Sequence, residues 1–115
     1  MGVQKTYALV LGFVLTLVGI WGFFTTSILG WFDVNRLHSS VHLIAGLIGI
    51  YAGTKTDGSM YNMVFGWVYG LLGVLGFIPG ARDLLASLLN INLGGNVLHI
   101  LIGIVSLGMY YGASK

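Results

Sequence analysis

Four long apolar runs dominate the chain and restrict it to very few architectures. They cover residues 6–24, 37–54, 60–78 and 95–113. A helix that crosses a bilayer needs about 20 mostly apolar residues. Lipid admits only helices and closed barrels, because every backbone polar group must be bonded internally, and these runs lack the alternating pattern of barrel strands. The sequence therefore predicts an all-α membrane protein with four transmembrane helices.

The scarcity of charge excludes a soluble globular domain. Only 7% of the residues are charged, whereas soluble chains carry about 25%. The net charge of +2 gives no reason to expect nucleic acid as a partner, so the lipid bilayer of the cell membrane is the expected one. There are no cysteines, which excludes disulfides and iron–sulfur clusters.

The chain contains two copies of one helical hairpin. The segment YALVLGFVLTLVGIWGFF (7–24) shares eight of eighteen residues with YNMVFGWVYGLLGVLGFI (61–78), without a gap. Two crossings per copy restore the starting side, so both copies have one orientation and are related by a pseudo-twofold axis along the membrane normal. We predict a single transmembrane domain over residues 1–115, with tandem repeats at 6–54 and 60–113.

The returning helices align after a three-residue insertion in the second connector, and their polar positions then coincide. Asn35 falls on Asn92, His42 on His99 and Gly46 on Gly103. The equivalence predicts that His42 and His99 lie at one depth in the membrane. The second connector contains RDLLASLL (82–89), which predicts a short helix lying in the interface, and Pro79 is expected to end the third helix.

Glycines inside the helices predict close packing of backbones. Small residues recur on one face of each helix, which in lipid lets neighbouring helices approach closely. On the first and third helices these faces are formed by Gly12, Thr16, Gly19, Gly66, Gly70 and Gly73.

Polar residues gather where the second and fourth helices begin, and the sequence favours a structural role for them. Asparagine is a typical N-cap, and a buried histidine can donate to a carbonyl of the connector that folds over the bundle end. We therefore expect a small, non-enzymatic structural or accessory protein, self-associating or part of a larger membrane complex, with no cofactor. The polar cluster consists of Asp33, Asn35, Arg36, Asn92 and Asn96, together with His38, His42 and His99.

A cofactor or metal is the alternative interpretation of the same histidines. His42 and His99 could ligate a b-type haem axially. His38 and His42 lie one helical turn apart and face the same way, so with His99 they could hold a transition metal ion. Asp33 is the best carboxylate to complete such a site.

A second alternative is an oligomeric channel or transporter. It would need a polar path past Thr16 and Ser106, which lie near the helix centres, and no intramembrane charge supplies one. No serine–histidine–acid set or carboxylate pair indicates an enzyme.

The basic residues weakly indicate the orientation of the chain in the membrane, because lysine and arginine are in excess on the cytoplasmic side of membrane proteins. Lys5, Lys55 and Lys115 lie on the side of the termini, against Arg36 and Arg82 on the other. Both termini are therefore expected in the cytoplasm.

The blocks LGWFDVNRLHSSVHLIAGLIGIYAG, FGWVYGLLGVLGF and INLGGNVLHILIGI resemble the prokaryotic membrane proteins grouped as domain-of-unknown-function family 4383. The likeness covers nearly all of residues 7–112, and at Ser39 this chain departs from the asparagine usual in that pattern. The resemblance implies a four-helix membrane protein of cellular membranes and no assigned activity. Its best anchors are Asn35, His38, His42, Gly46, Asn96, His99 and Gly103.

Overall fold

The computed structural model describes residues 2–113, which form five helices and one short β-hairpin. Apart from the two-residue strands, the regular structure is helical. In chain order the elements are α1 (Val3–Trp21), β1 (Ser27–Ile28), β2 (Phe32–Asp33), α2 (Arg36–Lys55), α3 (Ser59–Leu75), α4 (Ala81–Leu89) and α5 (Leu93–Gly112).

The long helices form two closely packed pairs, α1 with α2 and α3 with α5. Their backbones touch at the predicted glycine faces. A Cβ atom at Gly12 would lie 2.6 Å from the amide nitrogen of Ile50, and one at Gly103 would lie 2.5 Å from the Cα of Gly70. No side chain fits into such gaps, so the glycines are a condition for this packing.

Within each pair, the two helices pack through residues that occupy aligned positions in the two halves of the sequence. A Cβ atom at Gly19 would meet the amide nitrogen of Leu43 at 2.6 Å, and one at Gly73 would meet that of Ile100 at 2.7 Å. Gly19 aligns with Gly73, and Leu43 with Ile100. Equivalent positions of the two sequence segments therefore make equivalent helix contacts.

Asparagine caps start the two returning helices, as predicted. The Asn35 side chain accepts a hydrogen bond from the backbone amide of His38 at 2.8 Å. Asn92 does the same for Gly95 at 3.0 Å. Each cap bonds a backbone amide that has no partner inside its own helix.

The two connectors differ in structure. The first contains an antiparallel hairpin with Ile28 opposite Phe32, which the sequence did not predict, and its turn holds Leu29 at φ 60° and Gly30 at φ 76°. The second contains α4, which confirms the predicted short helix and buries none of its side chains.

The end of α3 comes earlier than predicted. The helix ends at Leu75 with Gly76 as its cap, and Phe77 and Ile78 then bond to carbonyls three residues back in a tighter turn. Pro79 follows this turn and does not itself end the helix.

The surface of the long helices is apolar, and eight polar side chains of the described residues are buried. Val, Leu, Ile, Phe and Trp side chains are exposed along the long helices. Helices α1 and α5 are each long and apolar enough to cross a membrane, whereas α3 is apolar but has 17 residues. The buried polar residues are Gln4, His38, Ser39, His42, Asn62, Asn96, His99 and Ser106.

Candidate metal site

All three histidines of the chain converge at one point between α2 and α5. The ring centroids of His38 and His42 lie 4.2 Å apart. The His99 ring lies 5.6 Å from that of His38 and 6.0 Å from that of His42. One nitrogen from each ring can be chosen so that the three atoms lie within 4.8 Å of one another. The structure thus brings together the three predicted candidate ligands.

The imidazoles are buried and leave polar atoms without partners. His38, His42 and His99 are 4%, 6% and 1% exposed. Within residues 2–113, both ring nitrogens of His38 and the Nδ1 atoms of His42 and His99 form no hydrogen bond. A buried polar group without a partner costs about 1–3 kcal/mol, and each such group in a folded protein calls for an explanation.

Asparagines hold the cluster in place by joining the two connectors. The Asn35 amide donates to the carbonyl of Leu88 at 2.9 Å, and that of Asn92 donates to the carbonyl of Trp31 at 3.0 Å. These bonds run in opposite directions between the halves of the chain. They fasten the start of α2 and the start of α5 to the opposite connectors, so the histidines one or two turns further on are held near each other.

The pinning role expected of His42 and His99 is therefore filled by asparagines. Besides the two cap residues, Asn90 donates to the Val34 carbonyl and Asn96 to that of Gly76, each at 2.9 Å. The ring nitrogens described above make no corresponding bond in the described chain. An asparagine side chain has an acceptor oxygen and an NH₂ donor, so it can accept from the helix amide and donate to a connector carbonyl at once.

The other members of the predicted polar cluster lie around the histidines without joining them. The backbone amide of Asp33 donates to the side chain of Asn92 at 3.2 Å, and Asp33 borders the same cavity as the three rings. Arg36 is exposed at the first residue of α2. Asn96 lies one turn after the Asn92 cap, and its amide bonds to Gly76.

The spacing of the ligand atoms is close to what a metal ion requires. Nitrogen ligands about 2.0–2.1 Å from a tetrahedral ion are separated by about 3.3 Å. The three nitrogens lie within 4.8 Å, and the terminal torsion of histidine is soft. Rotation of the rings about this torsion changes the separation of the nitrogens without movement of the helices.

Two groups next to the histidine rings, the Leu89 carbonyl and the Tyr69 side chain, were not predicted from the sequence. The carbonyl of Leu89 lies beside the His38 ring without forming a well-aligned hydrogen bond. The Tyr69 ring lies 5.3 Å from that of His99, and its buried hydroxyl has no partner among the described residues. The position of Tyr69 on the glycine face of α3, between Gly66 and Gly73, could have indicated that it points into the bundle.

Comparison with the curated proteins and with the solved structures gives no match. The sequence model of the domain of unknown function DUF4383 matches residues 5–112, which is almost the whole chain. The chain belongs to the DUF4383 family.

Proposed function

We propose that this protein is a four-helix membrane protein that binds one transition metal ion through His38, His42 and His99. A single observation carries the proposal: three buried imidazoles converge, and four of their six nitrogens have no hydrogen-bond partner among the described residues. Imidazole suits zinc, copper, iron and nickel. Metal coordination satisfies nitrogens that otherwise remain unbonded in the interior.

The surroundings of the rings suit metal ligands. A ligating histidine usually donates its second N–H to a carbonyl, carboxylate or water, which fixes the orientation of the ring. The Leu89 carbonyl beside His38 is a group of this kind. The Tyr69 hydroxyl next to His99 is a second polar group that can bond to a ring nitrogen or to a metal-bound molecule.

The distribution of side chains supports the membrane part of the proposal. Only 33% of the apolar window of α1 and 28% of that of α5 are buried, whereas a core helix of a soluble protein is mostly buried. The remaining large apolar side chains suit acyl chains. We assign α2 and α3 to the membrane as well, because each packs along its partner helix over most of its length.

Aligned contacts support a pseudo-twofold arrangement, and the lysines at the end of the molecule that holds the N-terminus and the middle loop support a cytoplasmic location of that end. Tyr7 bonds to Ser106, and the aligned Tyr61 lies against Gly49, the residue that aligns with Ser106. Lys5 donates to the carbonyl of Thr56, which places this lysine at the same end as the middle loop. Lys115 lies outside the described residues.

A haem fits the cluster less well than a single ion. The His42 and His99 rings are 6.0 Å apart, but the His38 ring lies 4.2 Å from one and 5.6 Å from the other. It therefore occupies space beside the axis between them, where the macrocycle would extend.

Metal titration of the purified full-length protein tests the proposal. Co²⁺ is added to protein in detergent micelles, the visible d–d absorption is recorded, and Zn²⁺ is then added as a competitor. We expect one Co²⁺ per chain, intense absorption of the tetrahedral type, and its loss as Zn²⁺ displaces Co²⁺. His42→Ala and His99→Ala should each abolish the signal.

Tyr61→Phe is the control, because it removes a buried hydrogen bond to the Ala45 carbonyl without touching the rings. It should bind Co²⁺ like the parent protein. Weak, non-stoichiometric binding that survives both histidine substitutions would refute the metal site. A Soret band in the purified protein would show that the histidines bind haem and not a single metal ion.

A further inference from the structure

A cavity opens directly onto the histidine cluster. It has a volume of about 240 Å³, and all three histidines line it. Most of its wall is apolar and comes from three parts of the chain, α1, the first connector and α5. The apolar residues that matter for its shape are Val14, Val18, Trp21, Ile28, Leu29 and Leu98.

Three histidine ligands leave one position open on a tetrahedral ion. This is the arrangement of metal sites that bind an exogenous molecule, in contrast to closed structural sites with four protein ligands. Since the rings form part of the cavity wall, the space next to the open position is the cavity itself. It lies among apolar side chains, which bind an apolar body and exclude water.

The turn of the first connector places an apolar side chain on this wall under strain. Leu29 has φ 60°, a left-handed conformation that a branched side chain rarely adopts. Glycine or asparagine would suit that position, yet a leucine occupies it and lines the cavity. Backbone strain of this kind persists only where the surrounding structure holds the residue in place, and strained residues are frequent at binding sites.

Charge further limits what can enter. Asp33 is the one charged residue on the described wall of the cavity. A bound divalent ion would itself attract an anionic donor atom, so the selection acts on the rest of the ligand. A charged group on that body would lie against apolar side chains, and its removal from water costs free energy. A neutral body does not incur this cost.

From these observations, and resting on the metal site proposed above, we propose that the cavity binds a small neutral molecule. This ligand has a mostly apolar body and offers one nitrogen or oxygen lone pair to the metal. It is of the kind that dissolves in a bilayer, and it reaches the ion from the side of Leu29 and Trp21, whose side chains are partly exposed at the cavity.

Pyridine is the probe, and nicotinate is its charged counterpart with the same donor nitrogen. Co²⁺-loaded full-length protein in detergent is titrated with each compound, and the d–d absorption is followed. We expect a saturable spectral change with pyridine, and binding of nicotinate weaker by at least about tenfold. Equal binding of both compounds would overturn the proposal.

Gly95→Leu adds a side chain at the cavity wall and supplies the decisive variant. Gly95 lines the cavity, and its Cβ atom would lie 3.1 Å from Cγ2 of Ile91, a side-chain atom that must shift by a few tenths of an ångström. Leucine has a higher helix propensity than glycine. Gly108→Leu is the matched control on the same helix, where a Cβ atom meets nothing within 4 Å. Gly95→Leu should keep Co²⁺ binding and weaken pyridine binding by at least about tenfold, while Gly108→Leu changes neither.

Leu29→Gly relieves the strained backbone and removes a wall side chain, so it should fold well, bind Co²⁺ and bind pyridine less tightly. If Co²⁺ binds but pyridine causes no change, or if Gly95→Leu binds pyridine like the parent, the ligand site is refuted and the metal site stands. If Co²⁺ does not bind stoichiometrically, both proposals fail together.

Discussion

The side-chain amide of Asn35 donates a hydrogen bond to the carbonyl oxygen of Leu88 over 2.9 Å, which fastens the start of α2 to the last turn of α4. Asn92 makes the reciprocal bond to Trp31. Trp31 precedes Asn35 by four residues, as Leu88 precedes Asn92. One sequence position in each half of the chain thus caps its own helix and bonds to the other half.

Asn35 variants can separate the two tasks of this residue. Asn35→Ala removes the cap and the bond to Leu88, and we expect a loss of about 2 kcal/mol in the free energy of unfolding, shared equally between the two interactions. Asn35→Asp keeps an oxygen for the His38 amide and removes only the donor, so it should lose about half as much. Denaturant unfolding in detergent measures both. Equal losses would mean that the cap contributes nothing, and an unchanged Asn35→Asp would mean that the bond to Leu88 contributes nothing.

Gly73 lies in a close helix contact that a single methyl group can test. A Cβ atom there would lie 2.7 Å from the amide nitrogen of Ile100 and 2.9 Å from the Asn96 carbonyl oxygen. Because both are backbone atoms, the helices must separate, and Gly73→Ala should cost about 2 kcal/mol. Gly108→Ala has open space and should instead gain up to about 1 kcal/mol from helix propensity. Unfolding midpoints of the two variants should move in opposite directions; a common shift would contradict the packing argument.

Much of the fold could be predicted from local rules. Apolar runs located the four long helices, the asparagine before each returning helix indicated its cap, and the glycine spacing indicated the helix faces in contact. Each of these depends on residues within one or two turns of each other. The alignment of the two halves predicted that His42 and His99 lie at one depth in the membrane, and in the structure their rings lie 6.0 Å apart.

The remainder depends on contacts between distant parts of the chain. The sequence assigned the pinning of the connectors to histidines, because either residue type can bond a carbonyl. The choice is made by where Leu88 and Trp31 lie in three dimensions. The hairpin of Ser27–Ile28 with Phe32–Asp33 was missed, since two-residue strands have no detectable alternation. The contact of His38 with His99 likewise joins helices far apart in sequence.

Ser39 is the position where the two halves differ at an equivalent contact. Asn96, its aligned residue, donates to the carbonyl of Gly76, whereas the buried Ser39 hydroxyl lies against Gly22 with no partner in the part of the chain described. Ser39→Asn should form the missing bond to the Gly22 carbonyl and gain about 1 kcal/mol.

Two variants control for the Ser39 result. Ser39→Ala should leave the unfolding free energy almost unchanged, since it removes an unbonded hydroxyl. Asn96→Ser should lower it. If Ser39→Asn is instead destabilised, the space around Gly22 is too small for an amide. The two helix pairs are then less alike than their other aligned contacts indicate.

His42→Leu tests whether the histidine cluster is maintained for stability or for binding. The Nδ1 atom of His42 is buried and unbonded in the described chain, so replacing the ring by an apolar side chain should leave the metal-free protein as stable as the parent or more stable by about 1 kcal/mol. The parent should gain about 2.7 kcal/mol at a free Zn²⁺ concentration of about one hundred times its dissociation constant.

The same gain should be absent from His42→Leu and present in Tyr61→Phe, the control that keeps all three ligands. Thermal unfolding of the three proteins in detergent, with and without Zn²⁺, gives all six stabilities. A cluster kept for structure predicts the reverse pattern: His42→Leu would lose stability without metal, and Zn²⁺ would stabilise neither protein. A histidine that lowers the stability of the metal-free protein and raises that of the metal-bound protein is retained for metal binding, since stability alone would favour its replacement.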